Sequence, residues 1–222
     1  MRCIIDHKNK VNLFWTEKCG CTFIKQIYSY YVRGLERDVD PHDELYEMTE
    51  YMEGYTNILV VRNPYHRLIS GFLHRFVAGP ESAKLKFQDF KEFLESDFRT
   101  IDYDHFAPQF ARAYNDSLKF DFVYDLDGLD IFNGSNGFLR HFEHKPIDPS
   151  ISFKNNHTNQ TRSKLCMPNA HKLPYRRLCM LKKMGFVPQY CDFIDPEVKI
   201  KIDDLYHEDF VCLANLGFHY EP

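Results

Sequence analysis

The sequence has a single Trp among 222 residues, and neither sign of charge dominates: 28 Lys and Arg stand against 32 Asp and Glu, a net charge of −4. A nucleic-acid binder ordinarily carries a clearly basic domain, so that class lacks its electrostatic footprint and no nucleic-acid partner is expected. A local phosphate site survives this exclusion, because a few well-placed cations hold one nucleotide without changing the total. Long apolar runs are missing as well. Stretches such as Ile58–Val61 fall far short of the ~20 residues that span a bilayer, so no membrane span is expected. The opening MRCIIDHKNK builds no apolar signal segment either. Internal repeats, low-complexity tracts and long linkers are also lacking.

The cysteines number seven, an odd count in a chain that is not small, which argues against a disulfide framework. Cys19-Gly20-Cys21 has one intervening residue, not the two or more of a zinc knuckle, and no second close pair follows, so no metal is expected. Reduced, buried thiols are the expectation for most of the seven.

What is present is an ordinary globular balance, 44% hydrophobic and 27% charged, on a length that suits one domain spanning residues 1–222. Aromatic residues are abundant, with 20 Phe and 14 Tyr. That supply suits a dense core or a groove that stacks sugars and bases.

Periodicity then divides the chain. Val11–Trp15 reads as a strand, Thr16–Thr22 as a tight loop, and Phe23, Ile24, Ile27 and Tyr31 fall at helical spacing. Residues 38–56 are polar, with a short helix expected around Glu44–Met52. Asn57–Val61 is β-branched and apolar on both faces, as a buried parallel strand requires. It ends in Arg62-Asn63-Pro64, where Pro64 suits a first helical turn, and Leu68, Ile69, Phe72, Leu73 and Phe76 mark the helix that follows. A short helix is expected over 87–98, a loop or helix start at 104–109, a strand over Phe120–Leu126 and helix over Asp130–His141. Residues 145–175, rich in Asn, Thr, Ser, Pro and Lys, read as a mobile substrate loop. Ile200–Gly217 reads as one closing helix. Strands alternating with helices predict an α/β fold with a central, mostly parallel β-sheet flanked by helices.

Both strand–turn–helix units carry a cation and a hydroxyl at the turn. A loop running from a parallel strand into a helix offers backbone N–H groups and the positive helix end to an anion. In Lys18-Cys19-Gly20-Cys21-Thr22, Gly20 allows a tight backbone, Lys18 adds charge and Thr22 a hydroxyl. This is not the Walker pattern, since the lysine precedes the glycine. In the second loop Arg62 leaves a buried strand and Ser70 follows on the helix, and a guanidinium fork matches phosphate geometry.

Taken together, Lys18–Thr22 followed by Arg62-Asn63-Pro64-Tyr65-His66-Arg67-Leu68-Ile69-Ser70-Gly71-Phe72 resembles the sulfotransferase superfamily, and most closely its carbohydrate (type-2) branch. The family's first motif runs roughly Pro-Lys-x-Gly/Ala-Cys/Ser-Thr-x-x-Lys, and its second Arg-Asp/Glu-Pro-x-x-Arg-Leu-x-Ser-x-Phe. Further similarity runs through Asp104-His105-Phe106-Ala107-Pro108-Gln109, the strand from Phe120 to Leu129, and Tyr206, Asp209, Phe210, Gly217 and Phe218 near the end. Two positions depart from the pattern: Glu17 replaces the usual Pro, and Asn63 the usual acid.

The resemblance implies a single P-loop-like domain. The implied donor is 3′-phosphoadenosine 5′-phosphosulfate (PAPS), with adenosine 3′,5′-bisphosphate as product. Lys18, Cys19, Gly20, Cys21, Thr22 and Phe23 would hold the 5′-phosphosulfate, with Lys18 also catalytic, and Arg62 and Ser70 would bind the 3′-phosphate. The acceptor would be a sugar or glycan hydroxyl, with no metal required. A general base suits histidine, whose reference pKa lies near working pH. His105 has the best neighbours, and His42, between the two phosphate motifs, is second. His66 and His157 read as surface positions. Arg67 is expected to pack its helix against the first loop, and a thiol role for Cys19 and Cys21 at a helix N-terminus is a minor alternative. Golgi relatives carry an N-terminal anchor not seen here, so a cytoplasmic setting, bacterial or viral, is expected, with the Golgi only if an anchor is missing from this chain. The rival readings are a P-loop-like nucleotide kinase and a catalytically silent member that binds nucleotide or glycan.

Overall fold

The structure, a computed structural model, describes residues 1–36, 51–82, 87–110, 118–128, 137–148, 150–151 and 163–222. It divides into two compact units, Met1–Arg62 with Arg112–Asn155, and Asn63–Ala111 with Asn156–Pro222.

The first unit is built on a four-stranded sheet in the order β1 (Arg2–Asp6), β2 (Val11–Trp15), β3 (Thr56–Val61), β4 (Phe122–Asp125). β1 runs antiparallel to β2, whereas β2–β3 and β3–β4 are parallel. β2 is buried along its whole length, and β3 is buried from Ile58 to Val61, which explains why Asn57–Val61 reads as apolar on both faces. The one polar side chain of β2, Asn12, faces Asn57 in register and is fully satisfied. Its amide donates to Asn57 Oδ1 and to the Met52 carbonyl, both at 2.8 Å, and its oxygen accepts from Met52 N–H. Asn57 in turn donates its side-chain amide to the Lys119 carbonyl at 2.9 Å. A one-residue slip would leave these buried groups unpaired, so the asparagines pin the parallel register. Helix α1 (Cys21–Ile27) continues into a π-helical turn, Tyr28–Val32, and sets Ile24, Ile27, Tyr28 and Tyr31 against Leu13, Trp15, Ile58 and Val60.

The second unit is mostly helical: α2 (Pro64–Arg75), α3 (Phe90–Glu95), α4 (Phe98–Ile101), α5 (Tyr103–Phe106), α6 (Tyr175–Lys183), α7 (Pro196–Leu205) and α8 (His207–Asn215). A short parallel pair, β5 (Ser163–Leu165) with β6 (Phe186–Pro188), completes it. Much of the phenylalanine lies here. Phe93 packs on Phe98 with ring centroids 4.4 Å apart and on Phe72 at 4.7 Å, while Phe76, Phe90 and Phe106 close the cluster. Aromatic abundance therefore serves a core in this unit.

Several expectations are corrected. The closing segment is two helices, broken at Tyr206, whose backbone (φ −121°, ψ 27°) leaves the helix so that its ring is buried and its hydroxyl reaches the Phe106 carbonyl at 2.9 Å. The helix expected over 87–98 is shorter, Phe90–Glu95, with Asp89 accepting from Glu92 N–H as its cap, and a separate helix begins at Phe98. The 145–175 stretch is not all loop: β5 and a 3₁₀ turn, Ala170–Lys172, lie within it. Of Asp130–His141 only the end is described, as a 3₁₀ turn over Phe138–His141. The helix expected near Glu44 falls, apart from Tyr51 and Met52, outside the described residues, as does His157. Only Cys3 and Cys19 are buried, whereas Cys166 and Cys191 are exposed.

Asp195 makes the second unit acid-sensitive. It caps α7 by accepting from Val198 N–H at 2.8 Å, and lies 3.0 Å from Lys91 Nζ and 3.0 Å from His171 Nε2. Burial by itself would raise this carboxyl, but the Val198 N–H, Lys91 and His171 outweigh it and hold it down at about 2. Because the folded value is depressed, this stabilisation is complete above the ordinary 3.8 and is lost as pH falls toward about 2. The thermal midpoint, followed by calorimetry, is expected to drop across that window. Asp195→Asn, which keeps a cap acceptor, should flatten the drop.

Candidate functional site

In the parallel part of the sheet the C-terminal strand ends lie side by side, the position where α/β sheets bind ligands. β2 ends at Trp15 and opens the Thr16–Gly20 loop, β3 ends at Val61 before Arg62, and β4 ends at Asp125 before Leu126 and Asp127.

The first loop is turned sharply. Cys19 N–H closes on the Thr16 carbonyl at 3.1 Å, and both Lys18 (φ 68°) and Gly20 (φ 75°) adopt left-handed backbone. For a lysine that conformation costs about 1 kcal/mol, and such strain concentrates at functional sites. Gly20 is required twice over: besides its φ, a Cβ there would lie 2.5 Å from Leu126 Cδ1. As the residue before α1, Gly20 has no side chain to cap the helix, and the first turn holds no acidic residue. The positive end of α1 is thus presented without a competing carboxylate. Lys18, Cys21, Thr22 and Phe23 are half-buried around it, while Cys19 is buried with its Sγ 3.2 Å from Thr16 Oγ1. That contact fits a packing role for Cys19.

Arg62 is buried, and its Nη1 donates to the Lys18 carbonyl at 3.1 Å. Its Nε lies 3.5 Å from Asp127 Oδ1. The second-motif arginine therefore ties the β2 loop to the β4 loop, and Asp127 was not legible as its partner. Glu17 does not face the loop as an unbalanced charge, because Arg2 Nε of β1 pairs with Glu17 Oε1 at 2.9 Å. Lys25, which matches the closing lysine of the first motif, is fully buried in α1 with its ammonium 5.8 Å from the Trp15 ring centroid. The motif spacing was the signal for it.

In the second unit Asn63 begins α2 as its cap: its side-chain oxygen accepts from Tyr65 N–H at 2.9 Å, as an aspartate would, and its amide donates to the Glu221 carbonyl at 3.1 Å. Ser70 is half-buried on α2. Arg67 is buried with its guanidinium 5.9 Å from the Tyr206 ring centroid. Asp209, also buried, accepts from Gln109 N–H at 2.8 Å and Phe110 N–H at 3.0 Å. Burial pushes the Asp209 carboxyl up, against the pull of Arg67 and these two donors. The Arg67, Pro108-Gln109 and Tyr206–Asp209 motif segments thus have a structural function in holding one another.

His105 lies on α5 with Nδ1 2.7 Å from Asp102 Oδ1, and Asp102 also accepts from Arg75 Nε, whose Nη2 reaches Glu81 at 2.9 Å. Burial by itself would raise Asp102, but the bonds from His105 and Arg75 outweigh it and hold the carboxyl below its ordinary value, so it is ionised at neutral pH. His42 lies outside the described residues, and His66 packs beside Tyr190 with ring centroids 5.3 Å apart. Among the described residues no group of His, Cys, Asp and Glu is arranged to hold a metal ion.

The buried Asp209 carries the load of this second-unit network. Asp209→Ala removes the acceptor of two buried backbone N–H groups and a carboxylate that lies within the field of Arg67, at an expected cost of roughly 3–5 kcal/mol. Urea unfolding of the variant measures it, with an unchanged slope marking a stability effect alone.

Comparison with known proteins agrees with this geometry at the level of family. No curated protein matches the chain, and no solved structure does. The sulfotransferase family matches residues 1–214. That span takes in both units and the motif positions from Lys18 to Asp209, and the chain belongs to the sulfotransferase family.

Proposed function

We propose that this chain moves a sulfuryl group from PAPS to a hydroxyl of a carbohydrate-type acceptor, the whole chain serving as one sulfotransferase domain. The carrying observation is the Arg62 guanidinium bonded to the Lys18 carbonyl, which joins the two phosphate motifs at the C-terminal edge of the parallel sheet. The residues there suit an anionic nucleotide. Gly20 keeps the backbone bare, α1 presents its positive end, Lys18 and Arg62 bring charge, and Glu17 is neutralised by Arg2.

PAPS, when bound, supplies a sulfuryl group already attached to a phosphate that can leave. Lys18 neutralises charge that develops on the leaving oxygen, the kind of preorganised electrostatic assistance that ordinarily contributes most to such transfers. Thr22 and the N–H groups of Gly20, Cys21 and Phe23 hold the 5′ end, the Cys19 N–H being already given to the Thr16 carbonyl. Arg62 anchors the 3′-phosphate, and Ser70 keeps the phosphate-binding role that the resemblance implies. His105 takes the acceptor proton. Ionised Asp102 accepts the Nδ1 proton, which fixes the tautomer and leaves Nε2 as the basic nitrogen. Asp102 is a positioning residue in this scheme.

Calorimetric titration with adenosine 3′,5′-bisphosphate is expected to show micromolar binding, weak for ATP and lost in Arg62→Ala. Tighter binding of ATP with magnesium would favour the kinase reading, and bisphosphate binding without any sulfuryl transfer the silent one. In a transfer assay Lys18→Ala should lower kcat by about 10²–10³.

Asp102→Asn tests the base separately. Losing the carboxylate leaves the imidazole free to take the other tautomer, so kcat should fall with KM little changed. An unchanged kcat would remove His105 from the role.

A further inference from the structure

We propose that the exposed face of α6 is a docking surface for an anionic lipid bilayer. Between Asp148 and Asp192 the sequence contains no Asp or Glu at all, yet it holds eight Lys and Arg in a chain whose net charge is −4. The part of this segment that the structure describes concentrates the charge on one helix face. Arg176, Arg177 and Lys183 of α6 are exposed, and so is Lys172 just before it.

At 100° per residue, Arg176, Arg177, Met180, Lys183 and Met184 fall within an arc of about 120°, while Leu178 and Lys182 are buried on the opposite side. None of the four exposed cations pairs with a carboxylate among the described residues. Their charge is therefore available to a partner, in contrast to Lys91, Lys199 and Lys201, which all face acids.

The methionines select the partner. Met180 is 54% exposed and Met184 62%, set one turn apart between the cations. A polyanionic glycan would engage the arginines and lysine but gain nothing from two thioether side chains left in water. A bilayer takes both: anionic headgroups meet the cations, and the methionines enter the boundary below them. No helix among the described residues is long and apolar enough to cross a membrane, so this is attachment in the plane of the surface. The inference is independent of the acceptor and of the proposed base.

Co-sedimentation of the full chain with vesicles tests it. Binding to phosphatidylcholine vesicles carrying about one third phosphatidylserine should exceed binding to pure phosphatidylcholine by roughly tenfold or more, and should weaken as salt is raised. Arg176→Glu with Arg177→Glu should abolish the difference. Met180→Ser with Met184→Ser should lower vesicle binding several-fold while leaving binding to dextran sulfate unchanged. All four side chains are exposed, and circular dichroism checks that the variants keep their helix. Vesicle binding that ignores phosphatidylserine, or is absent, overturns the proposal. So does a face that holds dextran sulfate through the arginines while the methionine pair is without effect on vesicles, since it would then be a polyanion site.

Discussion

The first unit depends on one buried guanidinium. Arg62 sits where β3 ends and spans its neighbours, donating to the carbonyl of Lys18 after β2 and facing Asp127 after β4. A parallel sheet brings such ends together by its direction, but it does not hold the loops that leave them. The left-handed Lys18 needs a reason to stay turned, and a charge-assisted bond to its own carbonyl supplies one. The strain, the bare Gly20 and the buried arginine are consequently one arrangement. The edge strand β1, which adds no parallel end, contributes Arg2 and so removes the repulsion that Glu17 would bring.

The second unit meets a different constraint, the saturation of polar groups inside an aromatic core. Lys182 is buried under α2 and gives its ammonium to the carbonyls of Leu73 and Val77, where the last carbonyls of a helix have no partner within it. Tyr206 and Asp209 do the same service for the segment carrying Phe106, Gln109 and Phe110. Residues that read as members of a functional motif thus include several whose observed work is to hold the backbone. Asn63 is another: the departure from the usual acid keeps the cap and gains a donor.

Legibility followed the range of the interactions. β2, β3 and α2 were readable because burial of a strand on both faces, or of one helix stripe, leaves a period in the sequence. β1 and the short β5–β6 pair were missed, since their few residues carry no period distinguishable from loop. The single closing helix was an error of the same origin: Ile202 through Leu213 keeps helical spacing, and only the pull of the core on Tyr206 breaks it. Most thiols were expected to be buried, yet Cys166 and Cys191 lie outside the core.

By itself the sequence determined the fold class and the two strand–turn–helix motifs of the family, because that patterning and a Lys-x-Gly-x-Thr turn are local in the chain. It also determined the acid-free stretch before Asp192, since charge is a property of composition. The tertiary structure alone decided that Arg62 bonds Lys18, that Arg2 answers Glu17, that Asp102 orients His105, and that Met180 and Met184 share a surface with exposed cations. Partners such as Arg2 with Glu17 or Arg62 with Lys18 are chosen by which elements lie side by side, and only the folded backbone sets that proximity.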